Sequence, residues 1–340
     1  MRISACSQKQ KMPIAAKHAA AIACFLPAAS QATGGQPLKL AIYLDEVTPG
    51  NVLRPENHRK FWSFYVAFVD CKPELLHREQ MWIPIAVLRS SIAHQVKGGI
   101  SQCTRQLVRT MLLDPCNMAG VGFALTLSTP TLARAQLRYF IADEAALKAV
   151  WSSKGAAGCR CCSLCTNAVS INSGLADEVG SGDYLVNVSC AEVERFDMAT
   201  DADIHSAFDR LARDAGRLKV GAFKQLEKAV GFTYNADSIL ADQDLRALAP
   251  PASITYMDWM HNMVQHGTAN VEFELFLRRC KETLGIRYAH VNTFVTAAWV
   301  WPANQSNHSI DSVFTQSKEK TAPANPSVRL LQKCSWFFRC

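Results

Sequence analysis

From residue 38 onward the apolar positions fall into short runs separated by breakers. Leu38 to Asp45 (Leu-Lys-Leu-Ala-Ile-Tyr-Leu-Asp) has the β-branched and aromatic content of a strand, and Thr48-Pro49-Gly50-Asn51 supplies the turn that stops it. Phe61 to Val69 and Met81 to Leu88 are further strand segments. Pro84 interrupts the second and lacks an amide donor, which places it at a sheet edge or a bulge. After the Lys97-Gly98-Gly99 break, apolar residues recur at helical spacing from Ile100 to Leu113, until Asp114-Pro115 ends the helix. Val121 to Leu127 and Leu137 to Asp143 return to strand patterning. Glu144 to Trp151 then switches to helix formers, with Asp143 as the N-cap.

The second half reads differently. Gly155 to Cys165 is a loop of glycines and cysteines, followed by a polar, Gly-rich connection through Gly182. Residues 203–230 predict a helix on the spacing of Phe208, Leu211, Ala215 and Leu218, weakened at Gly216 and Gly221. Pro250-Pro251 precedes a last long helical stretch, Met257 to Leu284, whose Met257, Met260, Met263 and Val264 form an apolar stripe of core type. The run Ala297-Ala-Trp-Val-Trp-Pro302 reads as a packing anchor. These patterns divide the chain into an Ala-rich, weakly ordered leader and linker (1–37), an α/β core (38–154), a cysteine loop with a helical insertion (155–250), a C-terminal helical part of the core (251–301) and a poorly ordered tail (302–340). No repeat of fixed period is visible.

Composition adds exclusions. The 340 residues are 49% hydrophobic and 19% charged, which is globular material able to bury a core without disulfides. The longest apolar run, Ala19 to Ala29, is far short of the roughly 18 residues of a membrane span, so no membrane partner is expected. That run follows Arg2, Lys9, Lys11 and Lys17 and precedes Ala28-Ala-Ser-Gln-Ala32, the outline of a secretory signal. Secretion is therefore a rival reading. Against it stand 13 cysteines, an odd number with four crowded into Cys159–Cys165, a cluster that suits metal or reduced thiols inside the cell. A net charge of +7 permits a polyanionic partner without requiring one. Gly-rich phosphate loops and Gly-x-Ser-x-Gly elbows are absent, which argues against nucleotide kinases and serine hydrolases.

Two acids carry the chemistry. Asp45 and Asp143 both end apolar strands, and neighbouring strands would bring them to one divalent ion. Hard oxygen ligands with open positions suit Mg²⁺, completed by water and phosphate oxygens, and such sites support phosphoryl transfer. The plain alternative is that Asp45 opens a turn and Asp143 only caps a helix.

Longer words sharpen the picture. Tyr43-Leu-Asp-Glu-Val-Thr-Pro-Gly-Asn51, Ala142-Asp-Glu-Ala-Ala-Leu147 running into Lys154-Gly-Ala-Ala-Gly-Cys-Arg-Cys-Cys-Ser-Leu-Cys165, and Asp258-Trp-Met-His261 together resemble the core of cut-and-paste DDE/D transposases of the CACTA-like group. The likeness spans residues 38–300, though its diagnostic words total about thirty residues. It implies a ribonuclease-H-like α/β fold, a mixed sheet with flanking helices. It also implies nuclear, DNA-directed strand cleavage and strand transfer dependent on Mg²⁺ or Mn²⁺. Under it Asp45 is the first metal ligand with Glu46 beside it, and Asp143 is the second. The third acid is Asp258 or a later glutamate, Glu272, Glu274 or Glu282. The stretch after Pro302 holds no family-like segment, so a truncated or decayed copy is expected, and a non-catalytic DNA-binding remnant is the alternative. Homo-oligomerisation is left open.

The Cys162-x-x-Cys165 spacing is that of half a zinc site, structural in role. Cys159 and Cys161 are too close in the chain to complete it without strain, which leaves Cys190, His205 and His261 as remote ligands. His261 fits the resemblance best. Reduced thiols in a Gly loop are the competing reading. Basic residues are interleaved in two places, Arg54, His58, Arg59 and Lys60, and Arg210, Arg213, Arg217 and Lys219. Either set could meet phosphates or form a solvated face.

Overall fold

The computed structural model describes residues 18, 25–48, 59–125, 131–173, 175, 184–190, 192–264, 268–291 and 293. The chain divides into two compact units, one comprising Met1–Asn187 with Glu194–Asp258 and the other Val188–Val193 with Trp259–Cys340. The expected tail (302–340), the Trp-rich run, the Pro49-Gly50-Asn51 turn, Arg54 and His58 lie outside the described residues.

The first unit is α/β, built on a mixed five-stranded sheet. Its strands are β1 (Leu38–Val47), β2 (Phe61–Phe68), β3 (Ile83–Arg89), β4 (Ala135–Ala142) and β5 (Thr255–Met257), in the spatial order β3-β2-β1-β4-β5. β1 pairs antiparallel with β2, and β2 with β3. β1 and β4 run parallel, as do β4 and β5. Side chains alternate between faces of a strand, and the alternation here is sharp. Leu40, Ile42 and Leu44 of β1, Phe64 and Val66 of β2, and Leu137, Phe140 and Ala142 of β4 are buried on one face in a single core. Tyr43 and Asp45, with Tyr65 opposite Tyr43, take the other face. β3 is an edge strand, and its ladder with β2 skips Ile85 next to Pro84. The missing proline donor dictates both features.

Helices cover the core face. α1 (Gly99–Leu112) buries Ile100, Thr104, Val108, Met111 and Leu112, and α2 (Glu144–Trp151) buries Leu147, Val150 and Trp151. Ser101 of α1 donates to the Val150 carbonyl at 2.6 Å and accepts from the Ile239 amide at 3.1 Å, tying three segments together. Of the leader, residue 18 and residues 25–37 are described. Residues 25–32 are helical, and Leu26 and Ala29 sit in the core, because Phe25 and Leu26 supply an apolar anchor among the alanines.

The stretch read as one helix over 203–230 is two, α3 (Asp201–Asp214) and α4 (Val220–Val230). Thr200 and Asp203 form a reciprocal capping box at the start of α3. Ala215 leaves the helix in an extended conformation and Gly216 takes φ +78°, a left-handed turn that favours glycine. α4 ends at Gly231, where a Cβ would stand 2.8 Å from the Arg160 carbonyl oxygen, so the chain approaches the cysteine loop closely there. Met257 to Leu284 is likewise not one helix. Thr255–Met257 pairs with β4 as a strand, and a three-residue strand is too short to display a period of two. The strand expected over Val121 to Leu127 is Phe123–Leu125, paired antiparallel with Thr131–Ala133.

The second unit holds a π-helical turn, Met260–Val264, and α5 (Thr268–Leu284), which buries Val271 and Leu277 and stacks Phe273 on Phe276. Among the described residues no helix is long and apolar enough to cross a membrane.

Candidate metal centre

Register places three acids in one row. On β1 and β4, Leu44 pairs with Ala142, and on β4 and β5, Ala142 pairs with Met257. The next residues along these three parallel strands are Asp45, Asp143 and Asp258. Residues in register on neighbouring strands point to the same face, with strands about 4.8 Å apart. The Asp258 amide donates to the Ala142 carbonyl at 2.9 Å, which carries the β4–β5 ladder one residue past the strand. Carboxylate oxygens of Asp45 and Asp143 lie within 4.8 Å of one another, close enough to share one ion. Both residues are partly exposed, whereas Asp258 is buried.

Each acid is held by local chemistry. Asp143 caps α2, its Oδ1 accepting from the Ala146 amide at 2.6 Å. The capping role weighed for it is thus real, and it uses one of the two carboxylate oxygens. The Tyr43 hydroxyl donates to Asp258 Oδ2 at 3.2 Å. Burial first, then the charges of Asp258 and Asp45, the hydrogen bond to Asp258 and the charge of Asp143 drive the Tyr43 hydroxyl well above its ordinary pKa. Tyr43 is therefore a proton donor surrounded by the three acids, a role that sequence reading missed. Its signal was present: a tyrosine two positions before Asp45 on a strand must share its face.

Glu46, expected beside Asp45 as a ligand, points to the opposite face. Its Oε1 accepts from Ser90 Oγ at 2.6 Å and its Oε2 from Lys60 Nζ at 3.1 Å. Burial alone would raise its pKa, but these two donors outweigh it and leave the carboxyl below its ordinary value. Glu46 is a structural ion-pair partner, for the same period-two reason that places Asp45 with the acids. Glu272, Glu274 and Glu282 lie on α5, and His261 on the π-helical turn, all in the second unit.

The cysteine loop is a knuckle. The Cys161 amide donates to the Ala168 carbonyl and the Ser170 amide to the Cys159 carbonyl, closing a short antiparallel turn around Cys162 and Cys165. The two thiols are in hydrogen-bonding contact. Burial, then that contact and the charge of Cys165, push the Cys162 thiol up, and burial pushes Cys161 up to about 11. Arg160 donates from Nε to the Cys165 carbonyl at 2.8 Å. Among the described residues of this unit, no third His, Cys, Asp or Glu joins Cys162 and Cys165 closely enough to surround one ion. Of the remote ligands, Cys190 and His261 belong to the second unit. His205 stands in α3 among Arg246, Asp201 and Asp209, away from the thiols. The pair is brought together as expected, and within this unit the ligands that zinc would need are not. Lys154, from the same sequence word, forms a buried ion pair with Glu227 at 2.9 Å.

Asp45 and Asp143 offer one hard, anionic carboxylate oxygen each to a shared position, with the buried Asp258 next in register, and such oxygen donors suit hard divalent cations. No model of a known protein family matches the chain, and no curated protein sequence matches it.

Proposed function

We propose that the first unit is a ribonuclease-H-like core that cleaves DNA strands by metal-dependent phosphoryl transfer, in the manner of the DDE/D transposases that its sequence words resemble. The observation that carries the reading is the row of Asp45, Asp143 and Asp258 at the ends of three adjacent parallel strands. The order of strands, with acids on the first and fourth and a helix directly after the second acid, supports it.

Asp45 and Asp143 would hold Mg²⁺ between them, with Asp258 as the third acid. The bound ion supplies charge neutralisation at the phosphate oxygens and acidity to a water. The chain's own part is positional. β1, β4 and β5 fix the three carboxylates in register, the α2 cap fixes the rotamer of Asp143, and Tyr43 fixes Asp258. In the reaction, water attacks the phosphorus, the bond from phosphorus to the leaving oxygen breaks, and a free 3′-hydroxyl is left for strand transfer.

The test is nicking of supercoiled plasmid with Mg²⁺ or Mn²⁺, comparing wild type with Asp143→Asn. Loss of nicking in the variant by about 10²-fold or more supports the reading. Equal nicking removes Asp143 from the mechanism, and no nicking by either protein leaves a non-catalytic remnant of such a core.

A further inference from the structure

The hairpin of α3 and α4 is nearly balanced in charge over its whole length, with Asp201, Asp203 and Asp209 early in α3, but its cations crowd toward the turn, a concentration that the acid row does not use. Between Arg210 and Lys228 stand six cations, Arg210, Arg213, Arg217, Lys219, Lys224 and Lys228, all exposed. The same stretch has only two acids, Asp214 and Glu227, and Glu227 is buried against Lys154. Among the described residues none of the six cations forms an ion pair. Arg213 stands near Asp209, but that carboxylate is already held by Arg246. Some cations elsewhere in the unit are matched, Lys39 with Asp70, Lys97 with Asp237, and Arg105 and Arg109 with Asp242, while others such as Lys72, Arg78 and Arg89 stand singly among the described residues. A solvated face would be expected to interleave the two signs, whereas between Arg210 and Lys228 six cations stand close together against two acids.

The tip of the hairpin adds a second feature. Leu218 is 41% exposed and Val220 73% exposed, set between Arg217, Lys219 and Lys224 at the turn that Gly216 makes. The apolar stripes of both helices are spent on the core through Ile204, Phe208, Leu211 and Val230. The hairpin therefore lacks the wide apolar face with which an amphipathic helix lies in a membrane surface. Small apolar contacts flanked by cations suit a polyanion whose sugar edges alternate with phosphates.

We propose that the α3–α4 hairpin is a docking surface for the phosphate backbone of duplex DNA, engaged through Arg217, Lys219 and Lys224 at its tip. The inference rests on the functional reading above only for the choice of DNA as the polyanion. Binding at the hairpin requires neither the acids nor a metal.

The experiment measures binding of wild-type full-length chain to a fluorescent random-sequence duplex in EDTA across a salt series. Two variants follow, Arg217→Gln/Lys219→Gln/Lys224→Gln and a charge-matched control, Lys72→Gln/Arg78→Gln/Arg89→Gln, whose three side chains are exposed elsewhere in the unit. Unchanged melting temperatures show that both variants are folded. The hairpin variant should lower the slope of log affinity against log salt by about 2 to 3, at roughly 0.9 per phosphate contact, and lose at least about ten-fold in affinity. The control should match wild type. Equal losses in both variants, no duplex binding by wild type, or hairpin-dependent binding to phosphatidylserine vesicles in preference to duplex would each overturn the proposal. Asp143→Asn bound like wild type but unable to nick supports both inferences. Hairpin-dependent binding with nicking unaffected by Asp143→Asn rejects the acid row alone.

Discussion

Replacing Asp143 with asparagine should leave the metal-free protein at least as stable as wild type while abolishing its response to metal. Asp143 is the middle acid of the row, with Asp45 on one neighbouring strand and Asp258 on the other. Two unit charges 4.8 Å apart, the limit on the Asp45–Asp143 separation, repel by about 1 kcal/mol at the dielectric of water and about 3.5 kcal/mol at an effective value of 20. Both residues are partly exposed, so solvent screening holds the pair near the lower figure. Removing one charge relieves that pair, about 1 kcal/mol. Asparagine caps a helix as well as aspartate does, so the bond to the Ala146 amide survives, and only the charge–dipole term of about 0.3–1 kcal/mol is lost. The net gain is at most about 0.7 kcal/mol, up to roughly 3 °C in melting temperature. Differential scanning calorimetry in EDTA measures it. Adding Mg²⁺ at about ten times its dissociation constant should raise wild type by about 1.4 kcal/mol and leave the variant unmoved. A variant that melts more than about 3 °C below wild type in EDTA, or equal Mg²⁺ stabilisation of both proteins, would refute the idea that these carboxylates share a site.

Three further outcomes follow from charges away from the acids. Asp242 is almost wholly buried and accepts from Arg105 at 2.7 Å and Arg109 at 2.8 Å. Asp242→Asn should therefore cost about 2–4 kcal/mol by denaturant titration, since both guanidinium groups lose their anion. Burial opposes ionisation of Asp242, but the two arginines outweigh it and its folded pKa is lowered. Its contribution to stability should be present above the unfolded value near 4 and vanish as pH falls through the folded value, a loss that Asp242→Asn should not show. His205 has both ring nitrogens buried without a partner, and burial followed by the charge of Arg246 lowers its pKa below 6.5. The unfolded chain then binds that proton more tightly, so stability should decline as pH drops below about 6.5, by at most about 1.4 kcal/mol per pH unit. His205→Gln should flatten that limb in urea titrations, and an unchanged slope would assign the dependence to another group.

What could be read from the sequence depended on the length over which a pattern repeats. β1, β2 and β4 carry enough alternating positions to set their faces, and one rule of period two put Asp45 and Tyr43 on one face and Glu46 on the other. Pro84 announced the edge strand because a missing donor is a local fact. β5 was illegible. Thr255–Met257 pairs with β4 through contacts more than a hundred residues distant in the chain, and its apolar neighbours on the 260–264 turn mimic a helix. Asp258 was named from its sequence word, but its register with Asp143 was obscured for the same reason, since the two align only once β5 lies beside β4. The break at Gly216 was marked by a single residue, too little to distinguish a bent helix from two. Cys162 and Cys165 were correctly paired by their spacing, because two intervening residues fix a turn locally. Completing ligands depend on tertiary contacts that spacing does not encode.

The most direct test is anomalous scattering from crystals of the full chain grown with Mn²⁺. The account predicts a manganese peak touching carboxylate oxygens of both Asp45 and Asp143, absent in Asp143→Asn. A peak elsewhere, or none at the row while Mn²⁺ is bound at saturation in solution, would contradict it.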